Sequence, residues 1–395
     1  MTAERRRPSC LRAVWASLLC MALALPVRAG EAPAPEPPPS ASLNEQVIRV
    51  PVDGPDGMTL QVTIMHPDGN GPFPLAVMNH GASWISKRNR GDRYHRTNAA
   101  FYFLSRGYAV ALPMMRGFST SDGEIYHNGC DLAATGIAYA KDIRAVIRFL
   151  DGDRLFDTSR VVVAGQSMGG WNTLALGALN VPSVKGLIDF NGGVRESDCD
   201  EGDRALVEGA ARFGAATRTP SLWFYGDNDR YFAPPVWRAM YDAYTRQGAP
   251  AALLDVGTVM ESSHNFLAYP EMLPVWTARV DAFLAAIGMP HAVVHPGDLP
   301  QAFPAASGYA AVNDVAAIPY VSSNGRTLYR SFLEMPYPRA FVISTSGMAV
   351  SMSEGFDPLG RALAACERGG GQCEPYAVDD HVVWKPRPQA LARGG

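Results

Sequence analysis

The fold turns on Val161-Val162-Val163-Ala164-Gly165-Gln166-Ser167-Met168-Gly169-Gly170, which runs on into Trp171-Asn172-Thr173-Leu174-Ala175-Leu176. The first four residues are apolar and mostly β-branched, as in a strand covered on both faces. The residues from Met168 to Leu179 read as a helix. Gly-x-Ser-x-Gly therefore falls at a strand-to-helix turn. There the glycines allow a tight, strained turn that lifts the serine above the sheet. The helix start adds a positive partial charge beside any oxyanion that forms. The bare motif is weak, since Gly and Ser are common in loops. In this context Ser167 is expected to be a nucleophile rather than part of a structural turn.

A serine so placed needs an acid and then a histidine further along the chain. Ser221-Leu222-Trp223-Phe224-Tyr225-Gly226 reads as a buried strand and ends in Asp227-Asn228-Asp229. Asp229, three residues past the glycine, is the expected acid; Asp227 suits an Asx-type turn. His264 follows the Ala252–Val256 run and precedes the last helical pattern, whereas His291 and His295 fall in an expected linker. His264 is thus the expected base, removing the Ser167 proton while Asp229 fixes the imidazole tautomer. Two N–H donors are needed for the oxyanion. Met168 is one, and the loop Asn79-His80-Gly81-Ala82-Ser83-Trp84 supplies the other: Ala82 first, with Gly81 and Ser83 as alternatives.

Further out, strand runs recur at Val47–Val52, Leu60–His66, Leu75–His80, Tyr108–Leu112, Val161–Gly165, Gly186–Phe190, Ser221–Gly226 and Ala252–Val256. The first two alternate apolar and polar residues, like half-exposed antiparallel strands; the later ones are continuously apolar. Helical patterns alternate with them at Thr97–Arg106, Asp131–Leu150, Met168–Leu179, Val236–Gln247 and Glu271–Ile287. The fold class expected is α/β: one mainly parallel eight-stranded sheet with helices on both faces and ligands beyond the strands' C-terminal ends. Near residue 290 the composition shifts. Residues 45–289 form the expected catalytic domain, 290–304 a linker, and 305–390 a small α+β module containing Thr327–Phe332, Ala340–Ser344, a short helix Asp357–Ala365 and Tyr376–Trp384.

At the other end, Arg5-Arg6-Arg7, the apolar run Leu11–Leu25 and Val27-Arg28-Ala29 read as a cleaved secretory signal, residues 1–29. The run is too short for a membrane span. Residues 30–44 are a Pro-rich linker. A periplasmic or extracellular chain is expected, with no stable membrane span after cleavage. Removing residues 1–29 takes away five arginines and one glutamate and moves the formal charge from −3 to −7. That excludes nucleic acid as a main partner. Four cysteines remain, an even number that suits disulfides in an exported chain. Three pairings are open, and the sequence alone does not choose. Locality favours Cys366–Cys373, which leaves Cys130–Cys199.

Residues 45–289 resemble the α/β-hydrolase fold, and within it the dienelactone hydrolase and prolyl-oligopeptidase-like branch of serine hydrolases. The segments that carry the resemblance are Asn79-His80-Gly81, Pro113–Ser119, Gly165–Gly170, Tyr225–Asp229 and Ser263–Phe266. The resemblance implies the Ser167, Asp229 and His264 roles but not the substrate, because the fold hosts many. Dienelactone hydrolases proper use a cysteine nucleophile, so lactones are one candidate among several. The expected activity is hydrolysis of a carboxylic ester or lactone through an acyl-enzyme, on a small-molecule ester or short peptide. A peptidase of the same fold and an inactive binding scaffold are the rivals.

Smaller expectations follow. Arg116 is expected to be a salt-bridged loop residue rather than a substrate clamp. Asn191–Thr219, with Glu196, Asp198, Asp200, Glu201 and Asp203, sits where lids are inserted and reads first as a solvated loop, stapled to the pocket rim if Cys130–Cys199 forms. Trp84 and Trp171 are placed to line an acyl pocket, though plain core is the commoner use. His80, His95 and His127 lack metal-ligand spacing, and no phosphate loop is present, so neither metal nor cofactor is expected. The 305–390 module has no assigned partner.

Overall fold

The computed structural model describes residues 43–54, 57–82, 93–94, 97–299, 303–335, 338–353 and 358–386. The expected leader, residues 30–42 of the Pro-rich stretch, Ser83, Trp84 and His95 lie outside them.

Eight strands form one sheet: β1 (Gln46–Pro51), β2 (Thr59–Met65), β3 (Phe73–Asn79), β4 (Ala109–Pro113), β5 (Phe156–Gln166), β6 (Val184–Phe190), β7 (Ser221–Tyr225) and β8 (Ala251–Asp255). Their order is β1-β2-β4-β3-β5-β6-β7-β8. The pairs β1–β2 and β2–β4 are antiparallel, and every later pair is parallel. The sheet is the expected mainly parallel one. Six helices accompany it: α1 (Asn98–Ser105), α2 (Leu132–Leu150), α3 (Met168–Gly177), α4 (Gly202–Ala216), α5 (Pro234–Arg246) and α6 (Leu273–Ala286). The caps follow from the sequence. Thr97 and Asp131 each accept a free amide of the first turn, from Ala100 and Ala134. Gly107 and Gly248 take positive φ just past α1 and α5, where a side chain would be strained.

The strand order positions the site. From β3 the chain crosses through α1 to β4 on one side, whereas from β5 it crosses through α3 to β6 on the other. The chain thus leaves the adjacent strands β3 and β5 in opposite directions, the kind of switch point beside which ligands bind in such sheets. Register brings the ends level, with Asn79 opposite Gly165 and Gln166 opposite Phe190.

Two elements differ from expectation, and a third is newly assigned. β2 is buried on both faces rather than half-exposed, because Glu45 and Arg93 cover its polar side and Arg93 donates to Thr63 Oγ1 at 3.1 Å. Residues 202–216 of the expected lid loop are the helix α4, which buries Ala205, Leu206, Gly209, Ala210 and Phe213. The Thr327–Phe332 run, given no element type by the sequence, is part of a helix, α7 (Ser323–Leu333), started by Ser322, whose hydroxyl accepts the Gly325 amide.

The C-terminal residues build a second sheet of β9 (Arg339–Ser344), β10 (Ala349–Ser353), β11 (Cys373–Val378) and β12 (His381–Val382), in the order β10-β9-β11-β12 and antiparallel throughout. A helix, α8 (Pro358–Arg368), follows β10 in the chain and packs on the sheet. These residues have hydrophobic clusters of their own, around Tyr329, Phe332, Phe341, Tyr376 and Trp384. The structure pairs Cys130 with Cys199 and Cys366 with Cys373.

Candidate active site

Ser167 follows β5 directly and caps α3 with φ 55° and ψ −123°, a conformation outside the ordinary wells of an L-residue. Holding a residue there costs of order 1–3 kcal/mol and needs support from its surroundings. The support is close packing that only glycine permits. A Cβ on Gly165 would sit 2.2 Å from Gly169 O, and one on Gly169 would sit 2.3 Å from Asn79 O. Three backbone bonds complete the grip: Ser167 N–H donates to Phe190 O, and Ser167 O accepts from Trp171 N–H and Gly193 N–H.

Asp229 and His264 meet. His264 Nδ1 lies 2.9 Å from Asp229 Oδ2, both side chains being buried. An ionised carboxylate is acceptor-only, so Nδ1 carries the proton and Nε2 is left with its lone pair. Asp229 also accepts from Asn191 Nδ2 at 3.0 Å and from the amides of Tyr231 and Phe232 at 2.7 and 3.0 Å. Asp227 is turned elsewhere, to the exposed Arg238 at 2.9 Å. The rings of Tyr231 and Phe232 flank the imidazole at 4.5 and 5.6 Å. Gln166, beside the serine, donates to His264 O at 2.8 Å. Asn228 accepts from Val259 and Ser263 N–H and donates to Val259 O and Met260 O, tying the acid loop to the histidine loop. Among the described residues no hydrogen bond joins Ser167 Oγ to His264; such bonds often close only when substrate is bound.

The loop after β3 lies against the serine: a Cβ on Gly81 would sit 3.1 Å from Ser167 Cβ. His80 sets its direction. Met115 N–H donates to His80 Nε2 at 3.0 Å, so the ring proton is on Nδ1, which donates to Gly81 O at 2.8 Å. In a trans peptide the N–H points opposite the carbonyl, so this bond turns the Ala82 amide away from His80. Among the described residues neither Ala82 nor Met168 N–H has a partner. Burial lowers the His80 pKa to about 4 and keeps the ring neutral.

Beneath the site, Asp189 is fully buried on β6 and its pKa is raised to about 8, chiefly by burial. Tyr225 Oη donates toward Gly192 O at 2.6 Å and Asp189 Oδ2 at 3.0 Å, a contact that offsets part of the shift.

The remaining expected residues are structural. Arg116 Nε donates to Asp142 at 2.7 Å in a buried pair. Trp171 is fully buried, donates to Leu132 O at 2.8 Å and packs on Phe213. Sequence reasoning missed Gln166, Asn191 and Asn228 as supports of the site. The readable signal was their position, each within two residues of a strand end or a chemical residue.

The chain has the α/β-hydrolase fold. Residues 56–202 match the family model of the X-Pro dipeptidyl-peptidases (S15 family). The match spans well under half of the chain; it includes Ser167 and stops before Asp229 and His264. No curated protein matches the sequence. Among solved structures, the chain is similar to a putative dienelactone hydrolase of Klebsiella pneumoniae, at 16% identity and TM-score 0.44 over 61% of this chain and 98% of that one. It is also similar to a puromycin-hydrolysing peptidase of Mycobacterium tuberculosis, at 19% and 0.47 over 64% and 41%. A third is an acetyl xylan esterase of Paenibacillus sp. R4, at 18% and 0.44 over 62% and 89%. Likenesses this distant do not bear on substrate.

Proposed function

We propose that this chain is an exported serine hydrolase that cleaves a carboxylic ester or lactone. The observation that carries the reading is the strained Ser167 turn together with the Asp229–His264 pair, tied to it through Gln166. In this reading Ser167 Oγ attacks the acyl carbon as its proton passes to His264 Nε2. The carbonyl oxygen becomes an oxyanion facing the Ala82 and Met168 amides. Collapse breaks the C–O bond, and His264 returns its proton to the leaving alcohol. Water, deprotonated by His264, then releases the acid from Ser167. Each oxyanion donor contributes about 10²–10³-fold in kcat. Two disulfides suit the oxidising compartment that an exported chain reaches. Among the described residues no helix is long and apolar enough to cross a membrane. We read residues 290–304 as the connection between the catalytic domain and the C-terminal module.

The family-model match favours a second reading, a peptidase acting on X-Pro dipeptidyl amides. One experiment addresses both. The disulfide-intact protein is treated with a fluorophosphonate and the adduct mapped. Labelling of Ser167, absent in Ser167→Ala, is the expected result. Turnover of aryl esters against X-Pro amides then ranks the two readings. Failure of a folded sample to label would remove both.

A further inference from the structure

Cys130 and Cys199 join two segments that lie far apart in the chain, with Cα atoms 5.0 Å apart. His127, three residues before Cys130, meets Glu196 and Asp198, three residues and one residue before Cys199. His127 Nδ1 lies 2.6 Å from Glu196 Oε2, and its Nε2 lies 3.1 Å from Asp198 Oδ2. One ligand atom from each of the three fits within a span of 4.8 Å.

A second observation concerns the oxygen of Glu196 that His127 does not hold. The Glu196 side chain is only 1% exposed, and its other oxygen, Oε1, is buried with no hydrogen-bond partner among the described residues. Leaving one oxygen of a buried carboxylate unpaired is costly. No arginine relieves it: neighbouring Arg195 pairs with Asp203 and donates to Tyr231 O. The imidazole is shared between two acids and is half exposed.

We propose that His127, Glu196 and Asp198 form a binding site for one divalent transition-metal cation of the Zn²⁺ kind. One imidazole and two carboxylates suit a borderline cation, whereas Mg²⁺ and Ca²⁺ prefer oxygen alone. Three protein ligands leave a fourth tetrahedral position to water. The cation bonds one nitrogen of the His127 ring, Nδ1 beside Glu196, and the exposed Asp198 turns from Nε2 to join it, so that His127 acts as a neutral ligand. Its place defines its role. The 191–199 segment begins at Asn191, which donates to Asp229, and Gly193, which donates to Ser167 O; it ends at the metal site and the disulfide. A cation there would brace the segment bordering the candidate active site and take no part in bond cleavage.

The test uses the full, disulfide-intact chain stripped with chelator and titrated with ZnCl₂ alone, followed by calorimetry and thermal melting. One equivalent should bind and raise Tm. Asp198→Asn and His127→Ala should each weaken binding at least about 10-fold, since even partners outside the ligand shell matter by 10–100-fold. Asp198 is exposed, so its variant leaves no buried group behind and remains informative if Glu196→Gln misfolds. No saturable binding by wild type, or equal binding by wild type and both variants, overturns the site. Tighter binding of Ca²⁺ than of Zn²⁺ overturns the class of cation.

Discussion

The two sheets of this protein bury apolar strand faces in the same way but use their polar groups differently. In the C-terminal sheet a buried arginine is spent on structure, and the buried atoms that have no partner among the described residues, Tyr376 Oη and Asp379 Oδ2, stand beside no nucleophile. Arg339 is buried at the start of β9 and donates to Phe332, Leu333 and Met335 carbonyls at the end of α7 and to Asp379 O; its own amide goes to Asp379 Oδ1. At the C-terminal ends of the eight-stranded sheet, groups are instead held with one bonding position open: the Ala82 and Met168 amides and His264 Nε2. Packing alone would not require those vacancies. The comparison teaches that open bonding positions point to chemistry where several lie together at strand ends beside a strained serine.

The largest effect that could break this contrast is at the acid. Asp229→Asn should lower kcat about 10³–10⁴-fold by removing the acceptor that sets the His264 tautomer, whereas Asp227→Asn should change it less than about 3-fold. Steady-state kinetics of the two variants check the ranking, and a reversal would mean that the acid is misassigned. The next effect is at His80. His80→Ala should cost about 10–100-fold in kcat, less than an outright loss of an oxyanion donor, because the ring only aims the Gly81–Ala82 peptide. It also carries a pH signature. The folded pKa of about 4 lies below the ordinary 6.5, so the unfolded chain takes up the proton first as pH falls. Stability present above pH 6.5 is lost toward pH 4, by up to about 3 kcal/mol, and denaturant melts of His80→Ala should lack that component. The smallest effect on activity belongs to the other sheet. Arg339→Met should destabilise by about 2–4 kcal/mol through stranded carbonyls, yet leave kcat per folded molecule unchanged. A fall in kcat would show that the second sheet serves the site.

Most of the large sheet was legible in the sequence because its strands are apolar runs ended by glycine or acidic turns, and the sheet's strand ends carry the chemical residues. The Ser167 turn was legible for the same reason. α4 was not, because Gly202, Gly209 and Gly214 weaken helix propensity. Its packing, with a Cβ on Gly209 falling 2.7 Å from the Trp171 ring, needs those small residues. α7 is not declared by the sequence, because Thr327, Tyr329 and Phe332 favour strands while Leu328 and Arg330 favour helix. Their helical face is fixed by Tyr329 and Phe332 packing on Phe341. His127 was set aside as a ligand for want of spacing. Its partners lie 69 and 71 residues away, a separation that only the folded chain closes.

The cross-ties described above have one more consequence. Gln166 holds the His264 backbone, Asn228 joins the acid and histidine loops, and Asn191 holds Asp229. The three loops therefore belong to one cooperative unit of local unfolding, smaller than the sheet that carries it. The Ser167 turn, held by its own backbone bonds, lies outside that unit, so opening the loops parts the acid and the base from a serine that stays in place.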